Sequence, residues 1–393
     1  MKIENLKLKI LINGYFLTRP YTGFGDYTIN LLKEFSQIKD EKFEFIVVSP
    51  YAIDKKIIEK FESDTVNLTI QSYPQFLGKF LGKFYFEQIL IPKVARKNRC
   101  QLIHSFYPSI SIFTQVKQIE SIHDVIPWSL AEYQYSLPAK ILRSFIKMTS
   151  RKALKVITVS NWSKSEIKKY LNLPGKKIEV IYNGLEDEFE KKVSASQKSR
   201  ILRKYQIEKP YIFYIGGFDA RKKIGNMMMA FKKNKDKIKH NLVLAGGVFS
   251  PQRKIYADYY LLDQQLSTLG IKNRVRLIGV VPYEDLPVLH SEAELFLSPS
   301  IMEGFNLPLL DAMASKTPVI IHAGSASKEI SNNSACEIDC ENVEVFADSI
   351  KQVLDDKKLQ KKIVEKQYQR QKLFRWNKSA EQMLNLYGKI LKE

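Results

Sequence analysis

Two carboxylates, Glu303 and Asp311, flank a helix start in the stretch Ser298 to Ile320, SPSIMEGFNLPLLDAMASKTPVI. Such side chains accept hydrogen bonds from sugar hydroxyls. Gly304 lies between them and lets backbone approach a ligand closely. Pro308 takes a first-turn position, where its missing N–H costs little. The free N–H groups of a helix start suit a phosphate. The apolar run Leu295 to Leu297 reads as a buried strand feeding this loop. A strand that ends in a polar loop and opens a helix is where open α/β sheets bind ligands. The plainer alternative is an acidic loop with a carboxylate that complements the helix dipole.

A second constellation, Gly216-Gly217-Phe218-Asp219-Ala220-Arg221-Lys222-Lys223, follows the apolar run Tyr211 to Ile215. Gly216 and Gly217 permit close approach. Arg221 offers a bidentate fork and Lys222 a point charge, a pairing that suits a diphosphate. Its alternative is a solvated basic turn. A third is His123-Asp124 in IESIHDVIPW, again at a strand end. His123 either meets a substrate and its developing charge or is a satisfied structural residue. Gly23-Phe24-Gly25-Asp26 forms a Gly-rich loop after the first strand. It is not a dinucleotide fingerprint, because Thr28 stands where the third glycine belongs.

The elements that must position these residues alternate in two blocks. In the first, strands are expected at Leu8 to Ile12, Phe43 to Ser49, Leu102 to Ser105, Gln118 to Ile122, Val156 to Ser160 and Lys177 to Ile181. Helices are expected near Tyr27 to Phe35 and over Asn161 to Leu171, with Ser160 or Asn161 as N-cap. Asn183-Gly184 is a turn signal. The polar stretch from Leu185 to about Arg203 reads as an inter-domain link. In the second block, strands fall at Tyr211 to Ile215, Asn241 to Ala245, Val275 to Ile278, Leu295 to Leu297 and Pro318 to Ile321. Helices include Ile224 to Phe231, Tyr256 to Leu269 and Val343 to Leu354. Two such blocks predict an α/β protein of two doubly wound, Rossmann-like domains facing each other across a cleft.

The 393 residues suffice for two cores, and 45% hydrophobic with 26% charged residues is the composition of a folded protein. The net charge of +20 reflects either a Lys-rich composition or attraction to anions: nucleotides, an anionic membrane surface or nucleic acid. Cys100, Cys336 and Cys340 form no disulfide or metal pattern and suit a reducing compartment. No apolar run reaches the ~20 residues of a membrane span. The opening MKIENLKLKILINGYFL is too interrupted for a signal peptide, so a cytoplasmic protein is expected. Two basic stretches, Phe76 to Arg99 and Lys140 to Arg151, interleave apolar and cationic residues. Each suits an anionic membrane surface, or is a core-packed helix with a solvated basic face.

Taken together the strings resemble the retaining nucleotide-sugar glycosyltransferases of the GT-B fold, family 4-like, group 1. The resemblance covers nearly the whole chain. It runs through Gly23 to Gly25, HDVIP at 123–127, VSNWSKSEI at 159–167, KIEVIYNGLE at 177–186, YIGGFDARKK at 214–223 and the Ser298 to Ile320 stretch. It implies an acceptor-binding domain over 1–190, with a final helix at 376–393 packing back onto it. It implies a nucleotide-sugar-binding domain over 204–375. Arg221 and Lys222 would hold the diphosphate, Glu303 the donor sugar hydroxyls, and Asp311 the ribose. His123 would sit beside the donor sugar. Gly23, Gly25, Gly216, Gly217 and the Gly304, Phe305, Asn306, Leu307 backbone would line the donor site. Two departures stand out: Asp311 replaces the usual Glu, and Lys223 replaces the usual Asn, adding a cation near the phosphates.

The reading is a hexosyltransferase of bacterial surface polysaccharide assembly (O-antigen, capsule or exopolysaccharide), with mannosyltransferase-like features. Its partners would be a nucleoside diphosphate sugar donor, a glycan or lipid-linked glycan acceptor and an anionic membrane surface at the inner face of the plasma membrane, with no nucleic acid. No cofactor and no metal are expected. A basic nucleic-acid-binding protein and a dinucleotide-dependent oxidoreductase are the alternatives.

Overall fold

The computed structural model describes residues 7–392 apart from 21, 39–41, 131–136 and 251–256. The chain forms two compact units. One ends at Gly184 and is completed by the chain from Arg375 onward; the other is Leu185–Phe374.

The first unit is built on seven parallel strands: β1 (Leu8–Asn13), β2 (Phe43–Ser49), β3 (Val66–Ile70), β4 (Leu102–Ser105), β5 (Lys117–Ser121), β6 (Lys155–Thr158) and β7 (Ile178–Val180). Their order is β3-β2-β1-β4-β5-β6-β7. The chain winds outward from β1, then resumes on its other side at β4, so the switch point lies between β1 and β4. Parallel strands are covered on both faces and therefore read as unbroken apolar runs. Leu11, Ile46, Val48 and Ile103 pack with Phe86 and Val94 in one buried cluster, and Ile122, Val156, Ile167 and Leu171 in another.

The helix Gly23–Gln37 starts four residues before the expected Tyr27. The Gly23-Phe24-Gly25 run is thus its first turn rather than a loop. Thr22 caps it, accepting from the Gly25 N–H at 3.2 Å. A Cβ on Gly25 would lie 1.9 Å from the Arg19 carbonyl oxygen, so packing demands glycine there. The Asn161–Leu171 helix has the expected bounds, with Ser160 as its cap.

The last helix, Trp376–Lys392, belongs to this unit. Tyr387 OH lies 2.6 Å from His104 Nδ1, and Lys117 Nζ donates to the Ile390 carbonyl at 2.7 Å. Gly184 lets the returning chain pass: a Cβ there would stand 2.1 Å from the Trp376 nitrogen.

One buried charge on β5 has a measurable consequence. Glu120 is fully buried, and neither carboxylate oxygen has a hydrogen-bond partner among the described residues. Burial pushes its pKa up to about 7, only partly offset by nearby polar groups that form no hydrogen bond with it and by the Lys177 cation. Folded protein therefore keeps a proton that the unfolded chain has released between its ordinary value of 4.5 and about 7. Stability is full below that window and is lost as pH rises through it. Glu120→Gln is expected to be neutral in melting temperature near pH 5 and stabilising at pH 8, by up to ~3 kcal/mol. Parallel melting curves of the two proteins against pH that never diverge would refute this.

The second unit carries β8 (Tyr211–Ile215), β9 (Asn241–Ala245), β10 (Val275–Gly279), β11 (Leu295–Ser298), β12 (Val319–His322) and β13 (Cys336–Ile338). The sheet is parallel, ordered β10-β9-β8-β11-β12-β13, with its switch point between β8 and β11. Ile212, Leu242, Leu244, Leu297 and Ile320 meet Phe231 and Phe346 in its core. The helix expected over Tyr256 to Leu269 runs Ala257–Thr268; Tyr256 lies outside the described residues. So do residues 1–6 of the segment weighed against a signal peptide.

The expected link from Leu185 to about Arg203 is folded structure of this unit. Ser194 and Gln197 form a capping box that starts the helix Ala195–Lys204, and Ile201 is buried. Lys198 and Lys209 both reach Glu292 at 2.6 Å, and Lys204 reaches Asp285 at 2.6 Å. A helix with so few apolar residues leaves little periodicity to read. Among the described residues no helix is long and apolar enough to cross a membrane.

Candidate functional site

The site in the second unit grows from the two strands at its switch point. β8 ends at Ile215, and Gly216 follows where a Cβ would stand 2.6 Å from the Tyr214 hydroxyl. That hydroxyl donates to the Gly217 carbonyl at 2.9 Å, so the strand's own side chain holds the loop down. A short turn over Ala220–Lys222 aims the two cations, and Lys223 closes it in a left-handed conformation, φ 49°.

β11 supplies the other wall. Arg221 Nη1 donates to the Met302 carbonyl at 2.8 Å and lies 3.1 Å from Glu303 Oε2. Arg221 Nε lies 2.7 Å from Asp219 Oδ1. Lys222 Nζ lies 2.5 Å from Glu303 Oε1. The Ile301 N–H donates to the Arg221 carbonyl at 2.9 Å, so backbone as well as charge joins the two loops. Glu303 is buried, which by itself raises a carboxyl pKa. Lys222 and Arg221 outweigh that and hold it below the usual carboxylate range. The arrangement is a preorganised cation pair, partly neutralised by Glu303.

The helix Leu307–Ala314 opens beyond Glu303. Asn306 caps it in a left-handed conformation, φ 79°. Its amide Nδ2 donates to Ser298 Oγ at 2.8 Å and Ser327 Oγ at 2.9 Å, and its Oδ1 accepts from the Leu309 N–H. Asn306 thus fixes the loop's path. The helix start offers fewer N–H groups than the sequence predicts. Pro308 has none, and those of Leu309 and Leu310 are bonded to the Asn306 carbonyl. Phe305 is buried, its ring edge-on to Phe374 with centroids 5.6 Å apart. Asp311 is buried in the helix's second turn.

Lys223 differs from expectation. Its Nζ pairs with Glu341 at 2.6 Å, past β13, instead of joining Arg221 and Lys222 around Glu303. Two glycines that the sequence reading passed over also shape this edge. Gly246 adopts φ 137°, and a Cβ there would stand 2.1 Å from the Gly216 carbonyl oxygen. The pair Gly246-Gly247 follows β9 as Gly216-Gly217 follows β8, and that repetition was the available signal.

His123 belongs to the first unit, in the loop after β5. Its ring packs against Phe24 (4.6 Å between centroids) and Tyr27 (4.4 Å). The fold thus brings the Gly23–Gly25 turn and the His-Asp string together. The His123 carbonyl accepts from Ser163 Oγ at 2.7 Å, and Nε2 has no hydrogen-bond partner among the described residues. Burial lowers its pKa to about 3, so the ring is neutral at physiological pH. A neutral imidazole whose buried Nε2 is unpartnered keeps the capacity for one further hydrogen bond.

Among the described residues no three His, Cys, Asp or Glu side chains gather as a metal-holding group.

Residues 21–189 match the family model described as "Glycosyltransferase Family 4", and residues 197–370 match "Glycosyl transferases group 1". The chain is similar to O-antigen chain mannosyltransferase B of Escherichia coli: 26% identical, covering 97% of this chain and 99% of that protein. It is 29% identical to O-antigen chain mannosyltransferase RfbU of Salmonella typhimurium, over 88% of this chain and 90% of that one. Its fold resembles the crystal structure of Anabaena Alr3699/HepE in complex with UDP and glucose. The TM-score is 0.75 at 18% identity, over 97% of this chain and 100% of that chain.

Proposed function

Because the chain belongs to the group 1 glycosyltransferases with a family 4 N-terminal half and has the two Rossmann-like domains of the GT-B fold, we propose that it moves a mannosyl or related hexosyl group from a nucleoside diphosphate sugar to a growing glycan. The acceptor is a glycan or lipid-linked glycan of a bacterial surface polysaccharide. Similarity to two O-antigen mannosyltransferases over nearly the full length supports the sugar and the pathway class. The oxidoreductase reading gives way to this one.

The observation that carries the proposal is the Arg221–Lys222–Glu303 cluster at the switch point of the second sheet. In the transfer, the bond from the sugar's anomeric carbon to the diphosphate breaks, and its electron pair leaves on the diphosphate. The acceptor hydroxyl oxygen forms the new bond to that carbon on the same face. Its proton passes to the departing diphosphate. Charge grows on the diphosphate oxygens, where Arg221 and Lys222 stand ready, and preorganised cations lower the barrier there most. Glu303 orients the cations and accepts from the sugar hydroxyls. Asp311 accepts from the ribose, and His123 meets the sugar or the incoming hydroxyl. The protein's own cations offset the leaving charge, and the reading invokes no metal or cofactor. It carries with it a cytoplasmic location, on the side where nucleotide sugars are consumed.

The test is a panel of UDP-, GDP- and dTDP-hexoses, read by thermal stabilisation and by release of nucleoside diphosphate with a polysaccharide fragment as acceptor. One donor should stabilise the protein and yield a product of unchanged anomeric configuration by NMR. An inverted product would overturn the retaining mechanism. Failure of every nucleoside diphosphate to stabilise the protein would overturn the site.

A further inference from the structure

The two basic stretches of the first unit have an unusual surface. Phe76, Phe80 and Leu81, at the start of and along the helix Gly78–Tyr85, are 87%, 64% and 57% exposed. Leu137, Ile141 and Leu142, on the helix Leu137–Ser150, are 69%, 58% and 44% exposed. Phe80 and Phe84 are four residues apart on this helix and share one face, and Phe76 precedes it in the short turn Gln75–Leu77. That face is turned outward by packing on the other side. Gly82 is buried against the Tyr73 ring, where a Cβ would stand 2.0 Å from a ring carbon. Phe84 and Phe145 join the two helices, ring centroids 6.0 Å apart, so the apolar residues form one patch rather than two. The alternative of a core-packed helix with a solvated basic face describes Ile91–Lys97, where Ile91, Val94 and Ala95 are buried, but not the exposed apolar residues of Gly78–Tyr85 and Leu137–Ser150.

A soluble protein rarely leaves large apolar side chains in so dense a group without a partner. The charges around this patch select the partner. Residues 137–151 contain no Asp or Glu. Residues 76–99 contain one, Glu87, which is buried and paired to Lys83. Lys79, Lys93, Arg96 and Lys97 are exposed along the first stretch, as is Lys140 in the second. Aromatic and aliphatic side chains projecting from two cationic stretches nearly devoid of acidic residues match an interface of acyl chains beneath anionic headgroups.

We propose that this face of the first unit docks on an anionic lipid surface, with Phe76, Phe80, Leu81, Leu137, Ile141 and Leu142 entering the headgroup region and the surrounding cations meeting lipid phosphate. This rests on exposure and charge alone, and stands or falls separately from the transferase reading. Docking of this kind concentrates the protein where a lipid-linked acceptor lies.

The test uses the full chain and sedimentation with vesicles of phosphatidylglycerol and phosphatidylcholine, against phosphatidylcholine alone. Wild type should bind the mixed vesicles and not the neutral ones. Lys140→Ala should weaken binding about fivefold at low salt and much less at high salt. Phe80→Ser with Leu81→Ser should weaken it about tenfold or more at any salt. A Phe80→Trp variant should shift its fluorescence to the blue on binding, reporting an apolar environment. Hydrolysis or transfer with a soluble short acceptor should be unchanged in all three variants, which separates this proposal from the transferase assay. Equal or absent binding to both vesicles would overturn it. So would a wild-type dimer in solution that Phe80→Ser with Leu81→Ser dissociates, since the patch would then be covered by a second copy.

Discussion

Lys222→Ala is expected to lower kcat/KM by about 10²–10³, a loss of roughly 2–4 kcal/mol of transition-state stabilisation, in a protein that still folds. Lys222 Nζ lies 2.5 Å from Glu303 and, with Arg221, forms the cationic side of the cluster. Its loss has a second consequence. Burial raises the Glu303 pKa, and Lys222 is the largest force holding it down. With Arg221 and the smaller effect of Ser300 left to oppose burial, that pKa climbs, and the acid limb of the pH–rate profile moves to higher pH. Glu303→Gln separates the roles. It removes the carboxylate that competes for both cations, so affinity for the free nucleoside diphosphate should be unchanged or tighter while kcat/KM falls sharply. Kinetics and calorimetric binding on variants with wild-type circular dichroism settle the matter. Wild-type kcat/KM in folded Lys222→Ala would remove this cation from the mechanism.

The sheets were legible because parallel strands covered on both faces leave continuous apolar runs. Phe43–Ser49, Tyr211–Ile215 and Asn241–Ala245 have the bounds that their sequences predict. Of the edge strands, β7 and β10 were legible too, but β3 and β13 were not. Val66–Ile70 is half exposed and Cys336–Ile338 has three residues, so neither leaves such a run. The charged helix Ala195–Lys204 was hidden for the related reason that it buries little beyond Ile201.

The site was legible as two loops and not as one cluster. Lys222 and Glu303 are 81 residues apart, and only the placement of β8 beside β11 brings their loops together. Local pattern carries no such information. The same limit applies to Lys223, whose partner Glu341 lies beyond β13, and to Gly184, whose constraint is the backbone of Trp376. Asn306 could be read as a helix cap. Its hold on Ser298 and Ser327 belongs to the tertiary fold.

Asp311→Ala is expected to weaken nucleoside diphosphate binding by roughly 1–3 kcal/mol, the loss of a hydrogen bond to a charged group. Asp311 is 3% exposed, between the buried Leu310 and Ala312 of the helix that follows Glu303. A carboxylate so placed either serves a ligand or supports the helix, and three substitutions tell these apart. Asp311→Asn preserves the volume and removes the charge; it should lose most of the affinity with little change in melting temperature. Asp311→Glu keeps the charge and should keep the affinity, since Glu is the usual residue of the resembled family at this position. An overpacked side chain would instead lower stability by about 1–3 kcal/mol. Under the proposed ribose contact, Asp311→Ala should lose affinity for the nucleoside diphosphate and little for inorganic pyrophosphate. Arg221→Ala should weaken both ligands. Calorimetric titration with each, beside thermal melts, makes the comparison. Wild-type affinity in folded Asp311→Ala, with a lowered melting temperature, would make this carboxylate a support of the helix and leave the ribose to another group.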